Sequence, residues 1–328
     1  MTCFACGRSG SVVYRNLKDR SRCVPGNWTM LGCFDCGHWW LDPFPRRQEV
    51  AQFYTASYYT HQRPDSESRI QNWRERLRLA VLASVPGYEQ LGRGNRLCSA
   101  GKLLSRLPSV RNMAECGLML LSDREKGALL DIGCGSGRFL EVMHRAGWAV
   151  SGVDPDADAI RTAQARGLPT VHSELKNAGV PDGCYDAVTL SHVIEHAIDP
   201  LQLLKECRRR LKEGGVVVLS TPNPLSWGHR IFCSAWNHLD APRHLHLFSP
   251  ALIVKMLVTA GFRNVSVQTV AKSALPTFTS SVRLSFAGVF KPLLPLTILS
   301  AIVFQYAQHA CLANSKNIGE EIFATGVN

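Results

Sequence analysis

The sequence predicts an α/β protein with a doubly wound, mostly parallel sheet, and three observations lead to this fold class. An apolar strand over residues 127–130 runs through a glycine-rich turn into a helix that ends at Gly147. A second strand over residues 149–153 ends in Asp154. Beyond it, short apolar strands alternate with helices, the order that builds a parallel sheet covered by helices.

Five further strands complete the predicted sheet. They are expected over residues 168–171, 186–190, 216–220, 264–270 and 321–326. Helices over residues 156–166, 199–211 and 249–261 separate them, and the third begins with the cap pair Ser249-Pro250. Seven strands result, with residues 275–315 as a helical insertion between the last two.

The glycine-rich turn has the chemistry of a ligand site. Gly133, Gly135 and Gly137 have no Cβ, so backbone amides at the start of the helix can approach a ligand closely. The spacing is Gly-x-Gly-x-Gly rather than the Gly-x-Gly-x-x-Gly of dinucleotide pyrophosphate sites. Asp131 precedes it, and a carboxylate there would repel a pyrophosphate but suits a cationic ligand. Asp154 follows the glycines at about the 20-residue spacing of a carboxylate that binds ribose hydroxyls.

The order of these motifs resembles the class I S-adenosylmethionine-dependent methyltransferases. The resemblance rests on residues 130–137 and 151–154, and it extends to residues 185–196, 219–223 and 241–248. It covers residues 127–328 and implies that the last strand is antiparallel and that S-adenosylmethionine is the cofactor. A doubly wound domain that binds another ligand is the alternative.

The resemblance also implies cofactor-binding roles for residues at the strand ends. Gly133, Gly135 and Gly137 would hold the methionine end of the cofactor, Asp131 its ammonium group and Asp154 its ribose. Glu174 and Leu175 would border the adenine, and Ser191 would lie in the cleft after the fourth strand.

Two cysteine knuckles predict an N-terminal zinc ribbon over residues 1–46. Cys3-x-x-Cys6-Gly and Cys33-x-x-Cys36-Gly are separated by 26 residues, and each knuckle can turn both thiolates toward one metal. Four thiolates around Zn²⁺ make a closed structural site. Two redox dithiols are the alternative. The paired spacing leaves Cys23 and His38 without a role.

Residues 47–126 are expected to form a helical linker that covers the active site. An amphipathic helix is predicted over residues 68–83, a loop over 87–101 and a helix broken at Pro108 over 103–121. Tyr54, Tyr58 and Tyr59 form an aromatic cluster. In methyltransferases of the small-molecule and sugar type that carry a zinc ribbon, a similar segment comes near the active site. Packing of these tyrosines between the ribbon and the main domain is the other interpretation.

Charge and cysteine content indicate which classes of partner and which cellular compartment to expect. The formal net charge is +11, and residues 1–127 contribute +8 of it. This basic third favours an anionic ligand or a membrane surface, and less strongly nucleic acid; a solvated basic face is the alternative. The 12 cysteines, with no signal peptide at the N-terminus, favour a cytoplasmic protein.

The insertion at residues 275–315 is unusually apolar. Residues 292–315 carry no formal charge, but their apolar run ends at Gln305, short of the roughly 20 residues that a membrane span needs. Three interpretations remain: helices that cover the active site, a homodimer contact, or an interfacial helix that places the protein on the inner face of a membrane.

Two histidine-containing segments supply candidate catalytic residues. His192-x-x-Glu195-His196 matches an inverted zinc-protease motif, in which the two histidines would share a metal, but it follows a buried strand. His244 matches a Pro-Arg-His position of the methyltransferase family and is the first candidate for a general base. His196 is the second. Either could instead be a hydrogen-bonded wall of the site.

The predicted function is transfer of a methyl group from S-adenosylmethionine to oxygen or carbon of a small molecule. A sugar or glycan precursor is favoured by resemblance alone. The zinc ribbon and the basic N-terminal third suggest an RNA methyltransferase as one alternative, although the Asn/Asp-Pro-Pro-Tyr type of site for base amines is missing after the fourth strand. A non-catalytic module that only binds the cofactor is the other alternative.

Overall fold

Two sheets organise the chain. A computed structural model describes residues 2–20, 24–54, 69–285, 294–312 and 315–328. The smaller sheet has the order β1-β2-β3-β9 and contains β1 (Ser11–Leu17), β2 (Trp28–Gly32), β3 (His38–Asp42) and β9 (His246–Phe248). The larger has the order β10-β11-β8-β7-β4-β5-β6. Its strands are β4 (Ala128–Ile132), β5 (Ala149–Asp154), β6 (Thr170–His172), β7 (Tyr185–Ser191), β8 (Leu211–Pro222), β10 (Arg263–Val270) and β11 (Glu321–Val327).

The seven-stranded sheet confirms the predicted fold class. β4 pairs in parallel with β5 on one side and with β7 on the other, and β6 continues in parallel beyond β5. β11 runs antiparallel to β8, because the Asn223 amide bonds to Glu320 at one end and the Asn328 amide bonds to Gly215 at the other. The strand order reverses at β4: β5 and β6 lie on one side of it, and β7 and β8 lie on the other. This is the arrangement of a doubly wound fold.

The described helices number eleven apart from short 3₁₀ turns. They are α1 (Arg47–Val50), α2 (Arg69–Leu82), α3 (Cys98–Leu104), α4 (Pro108–Gly117), α5 (Arg138–Arg145), α6 (Ala157–Ala165), α7 (Pro200–Arg210), α8 (Trp227–Phe232), α9 (Pro250–Thr259), α10 (Ala274–Ser285) and α11 (Leu294–Cys311).

Two local expectations differ from the structure. α3 begins at Cys98, inside the segment expected to be a loop. The helix expected over residues 103–121 is two helices, and Pro108 is the first residue of α4 rather than a break inside one helix. Proline is favoured there because the first turn of a helix needs no backbone N–H from it.

The chain divides into two compact units. One contains Met1–Tyr58, His192–Leu204 and Ser220–Ala324; the other contains Tyr59–Ser191, Lys205–Leu219 and Thr325–Asn328. The first unit therefore holds the cysteine knuckles and the candidate catalytic histidines, and the second holds the glycine-rich turn. Each unit combines segments that are distant in sequence.

The core of the first unit joins the small sheet to the segment before β9. Trp28, Met30 and Leu41 are buried in one cluster with Trp236 and Leu245. The backbone continues the contact, because the Leu41 amide bonds to the Leu245 carbonyl at 3.0 Å and β9 pairs antiparallel with β3. This packing fixes the residues on either side of His244. In the second unit, β4 and α5 contribute buried Leu129, Leu130, Leu140 and Met143 to the core.

The insertion between β10 and β11 forms α10 and α11. They pack on one another through a small cluster that contains Ala274, Phe278 and Phe304. None of the helices in the described ranges is long and apolar enough to cross a bilayer.

Candidate functional site

The glycine-rich turn carries the first group of candidate functional residues. Gly133, Gly135 and Gly137 have φ angles of 70°, 51° and 78°, a left-handed conformation that other residues adopt at a cost. A Cβ on Gly137 would lie 2.4 Å from Leu168 Cδ1, so this position also needs glycine for packing. A Cβ on Gly135 would meet no atom within 4 Å. The turn is therefore open at Gly135, where a ligand can approach the backbone.

Asp154 is fixed against this turn. Its Oδ2 accepts a hydrogen bond from the Gly135 amide at 2.8 Å, and its Oδ1 accepts one from the Asp156 amide at 2.8 Å. These two bonds fix the orientation of the carboxylate at the end of β5. The end of β5 thus presents an oriented acceptor beside the open glycine.

Asp131 lies at the other end of the same turn and is buried. Its Oδ1 accepts a hydrogen bond from Thr189 Oγ1 at 2.6 Å, which links β4 to β7. Burial, together with the nearby Asp154 carboxylate, raises the pKa of Asp131 to about 7 against the lowering effect of the Thr189 hydrogen bond. A cationic group bound nearby would favour the ionised form. This carboxyl is suited to a ligand that carries a positive charge.

The remaining predicted cofactor residues lie at the carboxyl ends of the neighbouring parallel strands. Ser191 ends β7 and is exposed. Glu174 is exposed and Leu175 is 4% exposed, in the turn after β6. Ligands of doubly wound sheets bind at these strand ends. The topology therefore places all eight predicted cofactor-binding residues at one edge of the sheet, and their roles remain predictions.

His196 and His244 meet in the first unit with their ring centroids 4.8 Å apart. His244 Nδ1 donates to the His238 carbonyl at 2.7 Å, and His196 Nδ1 donates to the Arg243 carbonyl at 2.9 Å. A carbonyl can only accept, so Nδ1 carries the proton in each ring. When either ring is neutral, its Nε2 is therefore the basic nitrogen.

Burial keeps His244 neutral. Burial, followed by the neighbouring His196, lowers the pKa of His244 to about 4. Its unprotonated form therefore prevails near neutral pH, as a proton acceptor requires. The Tyr54 hydroxyl lies 3.0 Å from His196 Nδ1, which places one of the three predicted tyrosines at the histidine pair. Tyr58 and Tyr59 lie outside the described residues.

His192 has a different role from the one that the inverted protease motif implies. Its Nδ1 lies 3.1 Å from Glu195 Oε1 and its Nε2 lies 3.6 Å from Glu321 Oε1. Burial alone would lower the pKa of His192, but these two carboxylates outweigh it and raise the pKa to about 10. Both ring nitrogens therefore carry protons near neutral pH. The group of possible metal ligands that contains His196 pairs it with Glu195 and His244 rather than with His192. Thr221 Oγ1 donates to the second oxygen of Glu195 at 3.0 Å.

Arg243 is a contributor that the sequence analysis did not single out. Its guanidinium is buried, and Nη2 lies 2.6 Å from both Asp19 Oδ1 and Asp240 Oδ1. The two carboxylates raise the pKa of Arg243 against the effect of burial. This ion-pair group holds the backbone from Asp240 to His244. The signal in sequence is weak, since Asp19 lies more than 200 positions away.

Within the described ranges, two groups of side chains have the composition and spacing to hold a metal ion. One combines Glu195, His196 and His244, and the other combines Cys3, Cys6, Cys33 and Cys36; in each group the donor atoms lie within 4.8 Å of one another.

The four cysteines fit a zinc ion. Cys3 Sγ lies 3.4 Å from Cys36 Sγ, and Cys6 Sγ lies 3.4 Å from Cys33 Sγ. The Gly7 and Gly37 amides bond back to the Cys3 and Cys33 carbonyls, which closes the two knuckle turns. Thiolates held this close repel one another unless a cation lies between them, and four of them complete a tetrahedral site.

His38 is in contact with the knuckles, although the spacing left it without a role. Its Nδ1 lies 3.4 Å from Cys3 Sγ and its Nε2 lies 3.0 Å from His246 Nδ1. A hydrogen bond to a ligating sulfur orients it and adjusts its basicity. Cys23 lies outside the described residues.

The fold and the site together define a doubly wound α/β protein whose glycine turn and strand-end carboxylates suit a nucleoside ligand that bears a cationic group. A family model described as a methyltransferase domain matches residues 108–267. A ubiquinone biosynthesis O-methyltransferase of Psychrobacter arcticus is 30% identical over 186 residues, which cover 48% of this chain and 70% of that enzyme. The chain belongs to the class I S-adenosylmethionine-dependent methyltransferases.

Other relatives are similar over shorter regions. The ubiquinone biosynthesis O-methyltransferase of Sodalis glossinidius is 33% identical over 127 residues, which cover 36% of this chain and 51% of that enzyme. The chain thus spans about half the length of the first curated relatives that it matches. A solved structure from Thermotoga maritima, described as an S-adenosylmethionine-dependent methyltransferase and possible histamine N-methyltransferase, is 18% identical with a TM-score of 0.45; the match covers 71% of this chain and 96% of that one.

Proposed function

We propose that this protein transfers the methyl group of S-adenosylmethionine to a hydroxyl oxygen of a small molecule. The observation that carries the proposal is His244, a buried neutral imidazole whose Nδ1 bonds to a backbone carbonyl and whose Nε2 is therefore the basic nitrogen, in a chain of methyltransferase fold. Relatives named as O-methyltransferases favour an oxygen acceptor. An acidic carbon is the second possible acceptor, because its deprotonation needs the same base.

The proposed cofactor-binding residues all lie in the second unit. S-Adenosylmethionine supplies an electrophilic sulfonium methyl group. Asp131 would face its ammonium group, the three glycines its methionine end, and Asp154 its ribose. Glu174 and Leu175 would border the adenine, and Ser191 would contribute from the end of β7.

The proposed catalytic work of the chain is orientation and proton removal. Alignment of the attacking oxygen with the methyl group supplies much of the rate enhancement of a displacement reaction. His244 Nε2 would accept the hydroxyl proton as the oxygen attacks. The His238 carbonyl, which accepts from Nδ1, and the nearby Glu195 carboxylate would stabilise the resulting imidazolium. His196 would then line the site as a hydrogen-bonded residue or act as a secondary base.

A sugar or glycan precursor is the proposed acceptor class. Imidazole, carboxylate and phenol groups that lie close together offer donors and acceptors for several hydroxyl groups at once. The relatives named for ubiquinone biosynthesis make phenolic hydroxyls the main competing class. Turnover measured over a panel of nucleotide sugars and catechols would separate the two classes.

We also propose that the cysteine knuckles hold one structural zinc ion. The four sulfurs form a closed donor set, so the ion would have no position left for substrate. The role of the ion would be to stabilise the turns that lead into β1 and β3.

The base assignment is tested with His244→Asn. The asparagine amide can still donate to the His238 carbonyl but cannot take up the acceptor proton. We expect kcat to fall by about 10²–10⁴, the usual cost of losing a general base, while the affinity for S-adenosylhomocysteine stays unchanged.

His196→Asn is the matched control for this experiment. If His196 only lines the site and takes no proton, the effect of its substitution on kcat is smaller than that of His244→Asn. Full turnover of His244→Asn at saturating acceptor would contradict the assignment of the base.

A further inference from the structure

One face of α11 is apolar and exposed along most of its length. Six side chains form it, with exposed fractions between 37% and 61%: Leu296, Ile298, Leu299, Ile302, Val303 and Tyr306. At 100° per residue these positions occupy one side of the helix. A helix face that borders water is normally polar. This set of six residues is called the α11 face below.

The α11 face is not required for the core of the protein. The opposite side of the helix carries Ala301, Phe304 and Gln308, which are buried. The Phe304 ring contacts Phe278 of α10 with a centroid distance of 5.1 Å, and the Gln308 amide bonds to Glu320 at 2.8 Å. α11 is therefore anchored by one side while its other side remains available for a partner.

The formal charges within the segment that carries α10 and α11 are all of one sign. Residues 271–319 contain no Asp or Glu but four basic residues: Lys272, Arg283, Lys291 and Lys316. α8, which packs on α10, adds exposed Arg230 and Ile231 and no acidic residue. An apolar face on a segment whose formal charges are all positive is complementary to an apolar surface that bears negative charge.

We infer that the α10–α11 pair docks this protein on a lipid bilayer that contains anionic lipids. The α11 face would lie in the interface plane, with its aliphatic side chains among the upper acyl chains and the basic residues at the headgroups. A second copy of the chain fits the charges less well, because basic residues would approach basic residues with no carboxylate of the segment to pair them.

Vesicle flotation tests this inference. The purified full-length chain is mixed with phosphatidylcholine vesicles that contain or lack phosphatidylglycerol. We expect it to float with the anionic vesicles and to be released by salt, because both apolar burial and charge contribute to binding. Wild-type protein that stays unbound with both vesicle types would overturn the inference.

Two substitutions locate the contact. Leu299→Glu with Val303→Glu places two carboxylates one turn apart on the α11 face, and because both side chains are exposed (59% and 60%), neither substitution disturbs the core. We expect the floated fraction to fall by at least about tenfold. Val258→Glu on α9 is the matched control, since Val258 is 57% exposed and lies on another helix; it should float like wild type.

Two further results would overturn the inference. The first is that the double variant floats like wild type. The second is that light scattering shows a wild-type dimer, that the double variant is a monomer, and that neither binds vesicles, which would assign the face to a second copy. Affinity for S-adenosylhomocysteine, measured in the same samples, reports the cofactor site separately.

Discussion

At the scale of single residues, backbone carbonyl groups decide which nitrogens are available for chemistry. The His238 and Arg243 carbonyls accept from Nδ1 of His244 and His196, so Nε2 is basic in both rings. Two carboxylates decide the opposite outcome for His192, which is held in its charged form. His192 and His244 thus differ in protonation state, because carboxylates surround the first and a backbone carbonyl and burial act on the second.

The first prediction at this scale concerns Asp154. Asp154→Ala removes the oriented acceptor beside Gly135, and we expect the affinity for S-adenosylhomocysteine to fall by about 1.5–3 kcal/mol, the range for a hydrogen bond to a charged group. Isothermal calorimetry measures it, and circular dichroism checks that the fold is intact. An unchanged dissociation constant would remove Asp154 from the cofactor site.

The second prediction concerns the pH dependence of stability. The pKa of His192 is raised in the folded chain, from 6.5 to about 10, so its contribution is complete below pH 6.5 and is lost as the pH rises toward 10. The pKa of Glu195 falls from 4.5 to about 2, because its interactions with His192 outweigh burial, so its contribution is complete above pH 4.5. The pair therefore contributes most to stability between pH 4.5 and pH 6.5.

The measurement for this pair is urea unfolding of wild type and His192→Gln at about pH 6 and about pH 9. Glutamine keeps a hydrogen bond but not the charge, so the stability difference between the two proteins should shrink at the higher pH. A difference that stays constant or grows would contradict the proposed charge state of His192.

At the scale of elements, the segments coded by local periodicity formed as expected, whereas β9 and α3 were not predicted from the sequence. The glycine turn before α5 and the seven strands of the larger sheet follow from apolar periodicity and glycine placement. β9 is only three residues long and forms because β3 offers it backbone partners. α3 begins inside a segment rich in glycine and arginine. Such elements depend on neighbours that local propensity does not report.

The prediction at this scale concerns the cysteine knuckles. The purified protein should contain one zinc per chain, measured by elemental analysis. Cys33→Ser should lose the metal and lower the thermal midpoint, since metal binding contributes to folding. Cys184→Ser is the matched control, because this exposed cysteine lies outside the set. Less than about half an equivalent of zinc, together with a disulfide between the knuckles, would contradict the site.

At the scale of the whole molecule, the long-range connections within the first unit assemble the histidine site. Tyr54, the 195–196 pair, the 238–244 segment and Glu321 come from four regions of the chain. Arg243, in the 238–244 segment, also binds Asp19 and lies 3.5 Å from the carbonyl of Phe53, the residue before Tyr54. Described residues near the N-terminus therefore pack against the segment that carries His244.

The prediction at this scale tests that connection. Arg243→Met leaves two carboxylates without their buried partner, and breaking a buried ion pair on one side costs about 3–5 kcal/mol. Chemical denaturation should show a loss of that order. Arg230→Met, at an exposed position, is the control and should have little effect. A similar small loss for both variants would show that the Arg243 group does not stabilise the unit.

The sequence by itself determined the fold class, the glycine turn, the acidic residues at the strand ends and the paired knuckles. Each of these depends on residues close together in the chain, where apolar period, glycine conformation and cysteine spacing act directly. The helical character of the insertion also follows from its composition. Its short apolar run excluded a membrane span, but the sequence left its partner open.

Only the tertiary structure decided which polar groups pair. It separated His192 from His196, joined His196 to His244, buried Arg243 between two aspartates and placed His38 against Cys3. It also showed that one side of α11 is free. These outcomes depend on burial and on contacts between residues tens to hundreds of positions apart. A buried polar group takes whichever partner the fold brings to it, because leaving it unpaired costs more than any local preference.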